Sequence, residues 1–124
     1  MNTTTVEIGK RGELLAAIHL KKAGYKILCQ NFRARRCEID LVAYKDGCLV
    51  FVEVKTRGVS SSEHLFAARA PQLRRLIYAA NSFVKTQGFG SHSCRFDLIR
   101  IHRDKNSVKV EHLEDAFDSA SFLI

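Results

Sequence analysis

Two charged side chains interrupt an otherwise apolar stretch of the sequence. Residues 49–52 (LVFV) have the composition of a buried β-strand, yet Glu53 and Lys55 follow in the same run, separated only by Val54. Charged side chains are rarely buried unless another group pairs with them, because an unpaired charge loses its hydration. We therefore expect further polar or charged groups beside Glu53 and Lys55.

An Asp-Gly pair predicts which strand lies beside this one. Asp46 and Gly47 separate two apolar runs, residues 38–44 and 48–55. An Asp-Gly pair between such runs is a strong signal for a two-residue β-hairpin turn. We therefore predict an antiparallel hairpin in which residues 38–44 pair with residues 48–55.

This hairpin predicts a cluster of four charged side chains at the end away from the turn. Facing residues around the turn have numbers that add to 93, so Asp40 lies opposite Glu53. Glu38 lies opposite Lys55 in the same register. Facing side chains share one face of a sheet, with Cβ atoms about 4.5–5.5 Å apart, and a slip of one residue would separate them. The other face would carry the apolar residues Ile39, Leu41, Val50, Val52 and Val54.

Two facing carboxylates repel each other, so Asp40 and Glu53 require a compensating group. One carboxylate could keep a proton, a cationic side chain could bridge the two, or a metal ion could bind. Mg²⁺ suits such a site, because it takes a few carboxylates together with waters and substrate phosphate. The alternative is a structural salt-bridge cluster in which Lys55 pairs with Glu38 and Glu53, and the geometry alone leaves both interpretations open.

The rest of the sequence indicates the elements that must hold this hairpin. Helix and strand patterns, with Gly24 and Gly88 as helix ends and Pro71 in a first turn, predict the order α-β-β-β-α-β-β. The predicted elements are helices at 6–23 and 71–87, strands at 25–29, 38–44, 48–55, 94–102 and 107–112, a mobile loop at 56–62 and a short helix from Leu113. We therefore predict an α/β fold with a mixed β-sheet flanked by helices, in a single domain of residues 1–124.

Composition narrows the class of partner. The chain has 20 Lys and Arg against 13 Asp and Glu, a net charge of +7. Such an excess favours a polyanion, with nucleic acid ahead of a membrane surface, although a protein can be basic without binding either. The sequence has no apolar run of membrane-spanning length and its start lacks the apolar core of a signal peptide, so we expect a cytoplasmic protein. The spacing of its cysteines and histidines argues against a zinc site.

The spacing Asp40…Glu53-Val54-Lys55 resembles the PD-(D/E)xK nuclease signature. Longer stretches resemble the YraN-type bacterial family of predicted endonucleases, which is related to archaeal Holliday-junction resolvases. The matching stretches cover most of the chain and include GKRGELLAAIHLKKAGYKIL, NFRARRCEIDLVAYKDGCLVFVEVKTR, LRRLIYAANSFV, RFDLIRI and EHLEDAF. Cys37 stands where this family usually has glycine.

The resemblance implies a restriction-endonuclease-like fold and a metal-dependent nuclease that cuts DNA, in particular branched or structured DNA. It implies that Asp40, Glu53 and the Val54 carbonyl hold Mg²⁺ or Mn²⁺, and that Lys55 is the catalytic lysine. It also implies that Glu13, in the first helix, completes the site as a further acidic residue. On its residues alone, Glu13 would be a surface carboxylate favoured by the helix N-terminus.

DNA binding in this hypothesis depends on arginines. Contacts to backbone phosphates give affinity without reading the base sequence. The candidates are Arg33, Arg35, Arg36, Arg57, Arg74 and Arg75, each of which could instead be a solvated surface charge. A homodimer would suit an enzyme that cuts two strands. The alternative function is a module with a nuclease-like fold that binds nucleic acid or a protein without cutting.

Overall fold

A five-stranded β-sheet with one helix on each face forms the fold. The computed structural model describes residues 4–58, 70–90 and 92–116. Its elements in chain order are α1 (Thr5–Lys22), β1 (Lys26–Ala34), β2 (Cys37–Lys45), β3 (Cys48–Gly58), α2 (Ala70–Gln87), β4 (Ser93–Arg103) and β5 (Val108–Leu113). This is the predicted element order, and the α/β architecture is consistent with a restriction-endonuclease-like fold.

The strands lie in the sheet in the order in which they occur along the chain. All neighbouring pairs are antiparallel except β3 and β4, which run parallel because α2 lies in the connection between them. The predicted mixed sheet is therefore confirmed. In the part of the chain that the structure describes, neither helix is long and apolar enough to cross a membrane.

The turn between β2 and β3 sets the register of the central hairpin. Asp46 and Gly47 both have positive φ angles, 51° and 78°, as a type I′ turn requires. The paired residues run from 45 and 48 to 41 and 52, and the two numbers of each pair add to 93. The predicted register is confirmed over these pairs, whereas the predicted pairs Asp40–Glu53 and Glu38–Lys55 are not part of the ladder.

Three element boundaries differ from the predicted ones by more than one residue. The predicted strand at 25–29 is longer, because β1 continues to Ala34 in pairing with β2. The loop predicted from Thr56 is wrong as far as Gly58, which still pairs with β4, and residues 59–62 lie outside the described residues. The helix predicted from Leu113 is also wrong over residues 113–116. Leu113 ends β5, and a turn follows in which the Asp115 N–H donates to buried Asp97.

Each face of the sheet is covered by one helix and has its own apolar core. The core on the α2 side contains Leu49 and Phe51 of β3, and the core on the α1 side contains Val50 and Val52. This alternation is the period of two that a strand imposes on its side chains. Glu53 and Lys55 continue the series of Leu49 and Phe51, so they extend the face that α2 covers.

The alternation of side chains in β2 is interrupted at Asp40. Ile39 belongs to the core on the α2 side, whereas Leu41 belongs to the core on the α1 side. The prediction that Ile39 shares a face with Leu41 is therefore wrong. The cause is a local irregularity opposite Asp40, where Asn31 of β1 has a φ angle of 54° and is missing from the β1–β2 register.

Helix α1 approaches the sheet most closely at a glycine. A Cβ atom on Gly12 would collide with Oγ1 of Thr56 on β3 and would lie 3.7 Å from Cγ1 of Ile101 on β4. Gly9, in the preceding turn of the same helix, has no atom within 4 Å of the position of its missing Cβ. Gly12 therefore sets the distance between α1 and β3, and the next residue of the helix is Glu13.

A buried carboxylate joins the ends of three elements, β4, β5 and α1, on the α1 side of the sheet. Asp97 of β4 is 0% exposed. It accepts hydrogen bonds from Arg95 Nε at 2.8 Å and from the Asp115 amide at 2.9 Å, and it lies 2.8 Å from His112 Nε2. His112 Nδ1 lies 3.2 Å from Nε2 of His19 on α1. Burial alone would raise the pKa of Asp97, but the hydrogen bonds from His112, Arg95 and Asp115 hold it below its usual value.

Alanine at Gly12 is expected to destabilise the protein, while alanine at Gly9 stabilises it. Alanine favours a helix over glycine by roughly 0.5–1 kcal/mol at either position. At Gly12 the added methyl group also displaces Thr56, and overpacking costs typically about 1–3 kcal/mol. Denaturant unfolding should therefore show Gly12→Ala below wild type and Gly9→Ala above it. Equal stabilisation by both substitutions would contradict the close approach of α1.

Asp97→Asn is expected to lower the free energy of unfolding at neutral pH by about 3–5 kcal/mol, because it breaks a buried ion pair with Arg95. Glu111→Gln is the control: Glu111 is 39% exposed in its pair with Arg100, and surface pairs contribute about 0–1 kcal/mol.

The contribution of Asp97 to stability should depend on pH, because its pKa is lower in the folded than in the unfolded state. This contribution is present above the unfolded value of about 3.9 and is lost as pH falls through the folded value. As pH falls below about 3.9, the free energies of unfolding of wild type and Asp97→Asn should therefore converge. Asp97→Asn as stable as Glu111→Gln at neutral pH would contradict this role.

Candidate functional site

A side chain replaces the backbone ladder at the end of the central hairpin. Beyond the pair Leu41–Val52, the N–H of Val54 donates to Oδ2 of Asp40 at 2.8 Å. Asp40 is half-buried, and a carboxylate has several acceptor positions on its two oxygens. One oxygen therefore fixes the hairpin end while the carboxylate keeps further capacity for another donor or a cation. The structure thus brings Asp40 to the segment that contains Glu53, Val54 and Lys55.

Glu53 and Lys55 form an ion pair at the rim of the α2-side face. Lys55 Nζ lies 3.6 Å from Glu53 Oε2, and the two side chains are 24% and 13% exposed. Their pairing accounts for two charges that follow directly on a buried run. Glu38 pairs instead with Arg33, whose Nε lies 3.4 Å from Glu38 Oε2. The salt-bridge cluster considered from the sequence is therefore present for Glu53 and Lys55, whereas Glu38 takes an arginine of β1 as its partner.

Helix α1 contributes a third carboxylate to this end of the sheet. Glu13 is half-buried, and its pKa is raised above the usual range by that burial and then by the negative charge of Asp40. The charge of Glu38 raises the pKa further, while a hydrogen bond with Asn31 and the charge of Lys10 act in the opposite direction. Glu13 is therefore close enough to Asp40 for the two charges to act on each other. It is not a fully solvated surface carboxylate.

Asn31 is a site residue to which the sequence analysis gave no role. Its side chain hydrogen-bonds Glu13, and its backbone occupies the left-handed region opposite Asp40. Asparagine adopts this conformation more readily than most residues. The available signal was the polar pair Gln30-Asn31 after the apolar run that ends at Cys29, but only the fold shows that α1 brings Glu13 to Asn31.

The residues at this end suit a hard divalent cation. Carboxylates, backbone carbonyls and water are the ligands that Mg²⁺ prefers, and a cation would relieve the repulsion that raises the pKa of Glu13. Within residues 4–58, 70–90 and 92–116, no three His, Cys, Asp or Glu side chains are arranged as a ready-made metal site. A cation at this end would instead take Asp40, Glu53, the Val54 carbonyl and water molecules as its ligands.

The predicted phosphate-binding arginines form two groups on the surface. Arg33, Arg35 and Arg36 lie at the β1–β2 turn, and Arg74 and Arg75 lie on α2; all five are exposed. The groups meet where the Arg35 guanidinium lies over the Tyr78 ring, 6.0 Å from its centroid. Arg57 is in β3, and its side chain lies outside what the structure describes.

The cysteine in the position usually held by glycine has ordinary strand backbone. Cys37 begins β2 opposite Ala34, and its side chain packs against the α2-side core. The positive φ angle of this turn, 57°, belongs to Arg35. The strand that carries Asp40 therefore begins normally without a glycine.

Comparison with known proteins identifies relatives along almost the whole chain. Residues 12–101 match the family described as "Uncharacterised protein family UPF0102", a range that includes Glu13, Asp40, Glu53 and Lys55. A UPF0102 protein of Chlorobium limicola is 41% identical over 117 residues, which cover 89% of this chain and 91% of the relative. A UPF0102 protein of Flavobacterium johnsoniae is also 41% identical over 117 residues, with 90% and 94% covered. A UPF0102 protein of Chlorobium chlorochromatii is 39% identical over 121 residues, with 92% and 93% covered.

These matches confirm the family resemblance of the sequence, and the names of the relatives carry no activity. The chain belongs to the UPF0102 family.

Proposed function

We propose that this protein is a metal-dependent endonuclease that hydrolyses phosphodiester bonds in DNA, in particular in branched or structured DNA. The observation that carries the proposal is the hydrogen bond from the Val54 N–H to Asp40, which holds this carboxylate against the strand that carries Glu53 and Lys55. Like charges held together lower stability in the absence of a cation. The position of Asp40 beside the segment of Glu53 and Lys55 supports a site built for a divalent ion and a phosphate.

Each residue has a role that follows from its contacts. Asp40, Glu53 and the Val54 carbonyl would hold Mg²⁺ or Mn²⁺, and the hydrogen bond to Asp40 would keep the Val54 peptide in place. Such an ion lowers the pKa of a bound water and stabilises charge on the scissile phosphate. Lys55, which pairs with Glu53 in this structure, would turn to the phosphate and neutralise its developing charge, or orient the attacking water. Glu13 would accept hydrogen bonds from waters at the site.

The surface supports DNA as the substrate. The net charge is +7, and exposed Arg35 of the β1–β2 turn lies over Tyr78 of α2, the helix that also carries exposed Arg74 and Arg75. Contacts of this kind bind the phosphate backbone of DNA without selecting a sequence. Selectivity would then come from the shape of the DNA, and a homodimer would allow both strands of a branch to be cut.

One observation favours a second function, a module that binds nucleic acid or protein without cutting. The Glu53–Lys55 ion pair and the Asp40–Val54 hydrogen bond give both carboxylates partners within the protein. In that case the charged residues are structural. The two functions differ in what a charge-removing substitution at Asp40 does to stability and to ion binding.

Asp40→Asn is expected to leave the metal-free protein at least as stable as wild type and to abolish its response to divalent ions. Asparagine can still accept the Val54 N–H, but it removes the charge that repels Glu13. A ligand that binds only the folded state raises its stability, so Mg²⁺ or Mn²⁺ should raise the melting temperature of wild type and not that of Asp40→Asn. Thermal melts of both proteins, with and without each ion, provide the measurement.

Two further variants serve as controls for this experiment. Glu38→Gln removes an exposed charge that pairs with Arg33, and it should keep the divalent-ion shift. Asp40→Ala leaves the Val54 N–H without its acceptor, so it should cost about 1–3 kcal/mol. If Asp40→Asn melts well below wild type without metal and no ion shifts either protein, the carboxylates are structural and the binding module is favoured.

A cleavage assay tests the chemistry directly. Wild type with Mg²⁺ or Mn²⁺ should cut at least one substrate in a panel of duplex, flap, single-stranded and four-way DNA, with branched forms preferred. Lys55→Met should lower the rate by about 10²–10³, the usual loss when one group that stabilises transition-state charge is removed. Lys109→Met, an exposed lysine of β5, should cut as wild type does.

DNA binding should persist in EDTA and fall steeply with salt concentration. A flat salt dependence would indicate a protein partner. Absence of cleavage across the whole panel, with metal binding intact, would leave the binding module as the function.

A further inference from the structure

The exposed side of α2 carries a stripe of side chains with the chemistry to hold a nucleic-acid strand. Arg74, Tyr78, Asn81 and Lys85 are exposed and follow one another at spacings of four, three and four residues. Residues at these spacings lie on one face of a helix. The 18 residues of α2 include three cations and no Asp or Glu, so no carboxylate of this helix would repel a phosphate along the stripe.

A groove of about 580 Å³ adjoins this stripe. Its lining consists of Tyr78, Asn81, Ser82, Val84, Lys85 and Gly90. Small-molecule sites have volumes of about 300–1,000 Å³, so the groove can accept a group of the size of a nucleobase. Its described lining offers an aromatic ring, an amide, a hydroxyl and an ammonium group, and these residues include no acid.

Tyr78 is the most distinctive residue of this surface. It is 44% exposed, although a tyrosine usually gains stability by burying its ring. The Arg35 guanidinium lies over the ring at 6.0 Å from its centroid. The ring is therefore held beside a cation of the β1–β2 turn and stays accessible from solvent.

Ring contacts show how the stripe runs relative to the candidate site. After the end of α2, Phe89 lies 6.2 Å from Tyr44, near the β2–β3 turn, and Phe83 lies 6.0 Å from Phe51 in the middle of β3. Tyr78 lies further along, beside Arg35 at the opposite end of β2. Helix α2 therefore runs antiparallel to β3, and the Arg74 end of the stripe is the end toward Glu53. From Arg74 to Lys85 the helix rises by about 16 Å, at ~1.5 Å per residue.

We propose that this stripe binds single-stranded DNA that leads away from the candidate site. Tyr78 stacks on an unpaired base, Asn81 and Ser82 hydrogen-bond its edge in the groove, and Arg74 and Lys85 bind the phosphates on either side. The proposal rests on the proposed function in taking DNA as the ligand, and it narrows the substrate to DNA with an unpaired strand next to the cut.

The exposed ring favours a single strand over a duplex. In a duplex both faces of each base are covered by neighbouring base pairs, so an aromatic side chain cannot stack on them without unstacking the helix. In a single strand those faces are free, and aromatic rings alternating with cations are the usual means of holding one. A surface that bound only duplex phosphates would need the cations and not the ring.

The test compares binding of a fluorescein-labelled oligonucleotide of mixed sequence with that of the same sequence as a duplex, by anisotropy in EDTA at low salt. Tyr78→Ala should weaken single-strand binding roughly tenfold, which is 1.4 kcal/mol and within the range of 1–3 kcal/mol per stacked base. Duplex affinity should change less than about twofold. Tyr78→Phe, which keeps the ring, should bind as wild type does. Lys85→Ala should reduce the salt dependence by about one phosphate contact, and Lys109→Ala on β5 should not.

A second measurement reads the stacking in wild type itself. An oligonucleotide that contains 2-aminopurine should lose fluorescence on binding to wild type and to Tyr78→Phe, and keep it with Tyr78→Leu. Equal weakening of single-strand and duplex binding by Tyr78→Ala, or quenching that survives in Tyr78→Leu, would overturn the proposal. So would wild-type protein that binds duplex and no single strand. Because these measurements need no cleavage, they test this proposal separately from the proposed function. A protein that cuts no DNA can still bind a single strand along the stripe, and a nuclease can fail to do so.

Discussion

The hydrogen bond from the Val54 N–H to Asp40 is the contact on which both the hairpin end and the candidate site depend. Up to Leu41 and Val52 the two strands are held by a regular ladder. At Asp40 the side chain takes over as acceptor, and the alternation of β2 is interrupted between Ile39 and Leu41. A carboxylate that would otherwise point to one face of the sheet is thereby held against the backbone of β3, beside the Glu53–Lys55 pair.

This arrangement brings two carboxylates, Glu13 and Asp40, close together. Because like charges repel, other contacts of the fold must hold them in place. Gly12 allows α1 to lie close to β3, and the side-chain amide of Asn31 donates a hydrogen bond to the Glu13 carboxylate. On the same face, α1 is also fixed by the His19–His112 contact, which ends in the fully compensated carboxylate Asp97. The two acidic clusters therefore differ in kind. Asp97 has every partner it needs within the fold, whereas Glu13 keeps a raised pKa that a cation would lower.

The features that could be predicted from the sequence are those set by residues close together in the chain. Asp46 and Gly47 fix a turn and with it the register that brings Asp40 to Val54. Strand lengths were less predictable, because β1 and β3 extend as far as their neighbours pair with them rather than as far as their own apolar residues run.

No pattern in the sequence predicts the polar network around Asp97. Its members come from four separate parts of the chain: His19, Tyr25, Arg95 and Asp97, and His112 and Glu114. Each of them alone has the appearance of an ordinary surface polar residue. The role of Asn31 was hidden for the same reason, since its partner Glu13 lies on a different element.

Acidic and basic side chains are distributed unevenly between the end of the β2–β3 hairpin and helix α2. Carboxylates gather at the end of the β2–β3 hairpin, where Lys55 is the cation paired with Glu53. The neighbouring helix α2 has cations and no acid. In the proposed complex, a strand bound along α2 would meet these carboxylates at the hairpin end. Its phosphate would be repelled there unless a divalent cation lay between the two, so phosphate binding at this end would depend on cation binding, as a metal-dependent nuclease requires.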